Sequence, residues 1–120
     1  MEGDAAYKGI ELQILDNEAP VYEKLQVYQY HGSVYGVIPA KRGFLKPVGE
    51  WNYQEVIADG DNIKVILNGT TILDGNIREA SKNGTMDKRE HPGLLNKSGH
   101  IGFLGHGSKV IFRNIRIKEL

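Results

Sequence analysis

The sequence contains no cysteine. That excludes a disulfide scaffold, a thiol nucleophile and any thiolate-ligated zinc or iron–sulfur centre. It has no charge surplus either: 15 Lys+Arg stand against 15 Asp+Glu, a formal net charge of zero. A nucleic-acid or polyanion binder would carry a basic excess, and an acidic solvating tail the opposite. No apolar run approaches the ~18 residues of a membrane-spanning helix. Met1 to Lys8 include Glu2, Asp4 and Lys8 and no apolar stretch, so no signal peptide is read there. A Walker loop, a GxSxG elbow and an HExxH pair are all missing, which leaves phosphoryl transfer, elbow-type triad hydrolysis and zincin chemistry without support.

What the chain has in excess is glycine: 15 of 120 residues, against the usual ~7%. With hydrophobics at 40%, this points to short strands joined by tight turns. Apolar and polar residues alternate with a period of two. Gly9 to Asp16 is the first such run, with Ile10, Leu12 and Ile14 on one face and Glu11 and Gln13 on the other. Val21 to His31 fits neither the strand nor the helix period. Ser33 to Ile38 reads as a strand ending at Pro39, and residues 40–50 as a long surface loop. Trp51 to Asp59, Asn62 to Leu67 and Thr70 to Leu73 read as a three-stranded antiparallel meander. Gly60-Asp61 and Asn68-Gly69 are its turns, and the second is the strongest short hairpin signal in the chain. Ile77 to Ser81 allows a short helix, with no strong cap in the sequence. Two final strands, Gly99 to Leu104 and Ser108 to Leu120, are joined by Gly105-His106-Gly107. The expectation is an all-β sandwich or barrel in one domain, with no internal repeat.

Several polar residues could carry chemistry. Glu11 and Gln13 share a strand face about 6.6 Å apart, as an acid, base or metal ligand beside a hydrogen-bonding neighbour, or as a plain solvated face. Asp16 ends that run and reads first as a turn residue with Asn17. His31, His91, His100 and His106 are the four imidazoles. His91 precedes Pro92, and His106 lies between two glycines, where the backbone turns tightly and a ligand can approach. Each reads first as a packed or surface residue. Trp51 reads first as the largest core anchor and second as a platform for a sugar ring; Tyr28, Tyr30 and Tyr35 invite the same pair of readings. Three Asn-x-Ser/Thr sites, at Asn68, Asn83 and Asn96, are set aside, and turn chemistry explains the first.

Six segments in order carry a resemblance. They are Glu11-Leu12-Gln13-Ile14-Leu15-Asp16, Tyr30 to Gly36, Lys46-Pro47-Val48-Gly49-Glu50-Trp51-Asn52, Leu67-Asn68-Gly69, His91-Pro92-Gly93-Leu94, and Gly105-His106-Gly107 with Phe112 to Ile117. From about Ala5 to Leu120 the chain resembles the 3-keto-disaccharide hydrolase domain, a family common in Bacteroidetes and Planctomycetes. The resemblance implies a concanavalin A-like jelly-roll β-sandwich, antiparallel, over residues 1–120. Family domains begin with further strands upstream of the match to Tyr7 to Asp16, so the sandwich is expected to lack those N-terminal strands. Strand edges left open would favour self-association. The family implies export to the periplasm or cell surface and a carbohydrate substrate, a glycoside oxidised to a ketone at C3. The implied reaction is proton abstraction at C2, elimination of the C1 substituent and addition of water. On this chain it implies Glu11, Gln13, His91 and His106 as catalytic residues and Asp16, Tyr35 and Trp51 as substrate-binding residues. A divalent metal, with Glu11 and His106 as candidate ligands, would serve as electrophile. The alternative function is a carbohydrate-binding module on the same sandwich, without catalysis.

Overall fold

The computed structural model of the protein describes residues 4–120. Its regular structure is one antiparallel sheet with a few single-turn helices: α1 (Ala5–Lys8), β1 (Gln54–Asp59), β2 (Asn62–Leu67), β3 (Thr70–Asn76) and α2 (Ile77–Ser81). Two 3₁₀ turns, Pro20–Tyr22 and Val27–Gln29, occupy the segment whose periodicity was mixed.

The sheet is a meander of order β1-β2-β3, as the turn chemistry predicts. Asn68 and Gly69 both take positive φ, 50° and 85°, the pairing a two-residue I′ hairpin demands. Gly60 supplies φ 58° at the first position of the other turn. Asn68 also works through its side chain. Its Oδ1 accepts from the Tyr53 N–H at 2.9 Å, and its Nδ2 donates to the Phe44 carbonyl at 2.8 Å and to Asn52 Oδ1 at 2.9 Å. Asn52 Oδ1 in turn accepts from the Lys46 N–H. The hairpin tip and the segment Lys46 to Asn52 are thereby stitched together.

One face of the sheet is buried. On β2 the alternation puts Ile63, Val65 and Leu67 inside, and Lys64 and Ile66 on the other face. β3 buries two successive residues, Ile72 and Leu73. The register explains this: a bulge opposite Val65/Ile66 inserts an extra residue into β3. The core adds Val34, Val37, Ile77 and Leu94, with Leu12, Ile38, Ala40 and Leu45 packed at its margin. Helix α2 caps its own start, since the Asn76 side chain accepts from the Glu79 N–H at 3.0 Å.

Four expected strands are absent. Ser33 to Ile38 is a tight turn, with Val34 bridging Ile38 and Gly36 at φ 76°. Gly9 to Asp16 makes one isolated bridge, Leu12 to Val34, so of its apolar residues only Leu12 packs at the core while Ile10 and Ile14 are exposed. Gly99 to Leu104 and Ser108 to Leu120 lie exposed. Among the described residues no backbone hydrogen bond forms beyond Asn96. Their alternation is a strand's alternation, but a strand needs a ladder, and none is offered to them. Two contacts organise this segment: Phe103 against Phe112, centroids 4.2 Å apart, and the Arg113 guanidinium 3.9 Å over the Trp51 ring. Trp51 is accordingly not the core anchor; it is 43% exposed.

Candidate active site

Glu11 sits in the irregular ladder between residues 11–13 and 32–35. Its carbonyl accepts from the Tyr35 N–H at 2.9 Å, and the Gln13 N–H donates to the Ser33 carbonyl at 3.0 Å. The side chain is half-buried. Burial raises its carboxyl above the ordinary glutamate value, the Asp4 charge pushes it further, and His106 pulls in the opposite direction. The glycine-flanked His106 of the C-terminal segment is therefore in electrostatic reach of Glu11, although 95 positions separate them. A half-buried carboxylate with raised proton affinity, within electrostatic reach of an imidazole, suits general-base chemistry.

Tyr7, on α1, belongs to the same neighbourhood. Burial raises its phenol, Arg89 lowers it, and Tyr35, Asp87 and Asp4 raise it again. Arg89 Nη1 donates to the Tyr7 hydroxyl at 3.0 Å, and its guanidinium lies 5.3 Å from the ring centroid. The hydroxyl thus accepts from Arg89 and keeps its own hydrogen for another acceptor.

His91 stands behind Tyr7, ring centroids 5.1 Å apart. Its Nδ1 donates to the Ala6 carbonyl at 3.0 Å, and its Nε2 meets Asp87 Oδ2 at 2.9 Å and Oδ1 at 3.0 Å. The two side chains are 2% and 6% exposed. Desolvation alone would raise the Asp87 carboxyl. Hydrogen bonds from His91, the Arg89 N–H and the Thr85 hydroxyl outweigh it and hold the group below the ordinary aspartate value. A carbonyl on one side and a carboxylate on the other leave His91 no free ring nitrogen.

The remaining candidates are placed as follows. Gln13 folds its side chain back, Oε1 accepting from the Ile14 N–H at 3.1 Å. Asp16 is a turn residue whose Oδ1 accepts from the Glu18 N–H at 3.1 Å. Tyr35 accepts from Gln29 Nε2 at 3.0 Å and meets Tyr28 edge-on. Trp51 has one face covered by Arg113. His31 is buried: its Nδ1 accepts from the Leu15 N–H at 3.2 Å, so Nε2 carries the hydrogen and donates to Gln54 Oε1 at 2.7 Å. His100 is exposed. Residues 4–120 bring no three His, Asp or Glu side chains into a group that could hold a metal ion. Glu11 and His106, the two ligands that the resemblance implies, are therefore joined by no third such side chain among the described residues.

Two open clefts mark the surface. The larger, ≈ 420 Å³, runs past Asn17, Pro20, Glu23, Tyr30 and Arg42; of the residues singled out from the sequence it contains only Tyr30. The smaller, ≈ 300 Å³, lies beside His91 and is lined by Ser81, Thr85, Arg89 and Leu94 among others. Volume and chemistry therefore point to different places, and the chemistry is the better guide. Sequence reasoning missed Tyr7, Asp87 and Arg89. A lone tyrosine and a charge-rich loop carry no local signal; the link between Ala6 and His91 spans 85 positions.

Comparison with known proteins places the chain in a family. The family described as "3-keto-alpha-glucoside-1,2-lyase-like domain" matches residues 1–118. A 3-keto-disaccharide hydrolase of Bacteroides thetaiotaomicron is 36% identical over 127 aligned residues, which cover 92% of this chain and 43% of that protein. The chain thus spans less than half the length of this relative. Among solved structures, a "Putative glycosyl hydrolase" from Parabacteroides distasonis is similar with a TM-score of 0.55 and 30% identity, over 58% of this chain and 36% of that one. The matched portions share a sheet fold whose strands here are antiparallel. With a family match across nearly its whole length, the chain belongs to the 3-keto-alpha-glucoside-1,2-lyase-like domain family.

Proposed function

We propose that this chain carries the base of a 3-keto-glycoside-cleaving enzyme, and that Glu11 is that base. The observation behind this is the half-buried Glu11 carboxyl with raised proton affinity, within electrostatic reach of His106. A C3 ketone acidifies the C2 proton of the sugar. Glu11 takes that proton, the electron pair flows into an enolate, and collapse of the enolate breaks the C1–O bond. His106 is the group we assign to supply a proton to the departing oxygen. Water then adds across the C1–C2 double bond, hydroxyl to C1 and hydrogen to C2, and the free 3-keto sugar results. Tyr7, its hydroxyl backed by Arg89, is the donor we assign to the enolate oxygen. The carbohydrate-binding alternative is weaker, because Arg113 already occupies a face of its chief platform, Trp51.

The test is release of keto sugar from a 3-keto-disaccharide by this chain. Glu11→Gln is expected to lower turnover by about 10²- to 10⁴-fold, the usual worth of a positioned general base. Turnover retained by the variant would eliminate Glu11 as the base.

The sheet here is, in this reading, one portion of a concanavalin-like jelly roll. The unpaired segment 99–120, with Ile101, Phe103, Ile115 and Ile117 exposed, supports completion by strand pairing with another edge, including that of a second copy. Sedimentation over a rising concentration series should show association; a monomer at every concentration argues against self-pairing.

A further inference from the structure

His91 and Asp87 are one buried unit, and what they join is informative. His91 Nδ1 holds the Ala6 carbonyl of α1. The next carbonyls of α1 are gripped as well. The Gly93 N–H donates to the Tyr7 carbonyl at 3.4 Å, and Gly93 packs so tightly on the Lys8 carbonyl that a Cβ there would overlap it. On the other side the Asp87 N–H donates to the Gly36 carbonyl at 3.1 Å. A Cβ on Gly36 would overlap the Asp87 carboxylate and come within 3.1 Å of His91 Cε1. The pair therefore bridges α1 and the turn at Gly36. These are the two supports of Glu11: α1 ends two residues before Ile10, and the Tyr35 N–H, next to Gly36, holds the Glu11 carbonyl.

We infer that Asp87 and His91 form a positioning pair, which fixes the backbone of Glu11 by clamping α1 to the Gly36 turn and does not itself touch substrate. This rests on the reading of Glu11 as the base. The Ala6 carbonyl can only accept, so Nδ1 carries a hydrogen. Nε2 faces the Asp87 carboxylate, which Thr85 and the Arg89 N–H hold from the other side. Tyr7 and Arg89 are the other titratable groups packed against it, with Asp4 and Tyr35 beyond.

The experiment compares the wild-type chain with Asp87→Asn and His91→Gln by amide hydrogen exchange and by steady-state kinetics. Thr85→Val, a milder change, stands in if either fails to fold. In the variants the Tyr35 amide should exchange about 10- to 100-fold faster, the worth of a hydrogen bond to a charged group. The β2 amides should keep their protection. In the 3-keto-disaccharide assay kcat should fall while KM stays within about twofold, the pattern of a misplaced base. Unchanged Tyr35 exchange would overturn the inference. So would equal acceleration in Tyr35 and β2, because the pair would then serve general stability. A wild-type chain without turnover would remove the enzymatic reading alone, since the exchange measurement still decides whether the clamp holds Glu11.

Discussion

Acidification should destabilise this protein through His31. The buried ring, 8% exposed, accepts the Leu15 N–H at Nδ1 and donates from Nε2 to Gln54. A second proton would have to go on Nδ1, where it would face the Leu15 N–H donor. Desolvation lowers the folded-state value below the ordinary 6.5, against a smaller opposing effect of the Gln54 bond. Above pH 6.5 the ring is neutral in both states and the effect is absent. As pH falls through 6.5 the unfolded chain binds a proton that the folded chain refuses, so stability is lost. Integrated to pH ~5.5, the loss reaches at most about 1.4 kcal/mol, approached when the folded ring stays neutral throughout. The assay is urea unfolding followed by far-UV circular dichroism at pH ~7.5 and ~5.5, on the wild type and on His31→Gln. Glu11 works in the opposite direction, because its raised value stabilises the fold as pH falls toward the carboxylate range. It contributes equally to both proteins, so their difference isolates His31. The wild type should lose more stability than the variant over this interval; parallel losses would refute the reasoning.

Two further outcomes follow from packing. Val65, fully buried at the centre of β2, packs with Ile72 and Leu73. Val65→Ala should cost about 2–3 kcal/mol, the transfer energy of two methyl-sized groups plus a cavity contribution, measured as a lower urea midpoint at constant slope. Ile117 is 76% exposed and unpaired, so Ile117→Lys should leave the melting temperature of the dilute chain within the equivalent of about 0.5 kcal/mol. A large drop would mean that the segment is packed in solution.

What was legible in the sequence was what neighbouring residues decide between themselves. The I′ turn at Asn68-Gly69 follows from which residues tolerate positive φ, and the meander follows from that turn plus alternation. The one-turn helix at Ile77–Ser81 is also local, but its Asn76 cap was not read from the sequence and shows only in the structure. The ordered segments quoted above also place the chain in its family, which the match over residues 1–118 bears out.

The tertiary structure decided everything that depends on a distant partner. Alternation at Ser108 to Leu120 says what a strand would look like, but a ladder exists only where another backbone lies alongside, and among the described residues none does. Ser33 to Ile38 alternates too, yet a positive φ at Gly36 folds it into a turn that receives Asp87. Glu11 could be placed on a polar face from parity alone. Its raised proton affinity comes from burial and from Asp4, and the opposing influence of His106 arrives from the far end of the chain. His91 was visible as an imidazole before a proline; its commitment to Asp87 and Ala6 was not, because desolvation and hydrogen bonding are properties of the assembled surroundings. Sequence fixes which groups are available and which turns are permitted; the dielectric and the partners that make one carboxylate a candidate base exist only once the chain has folded around it.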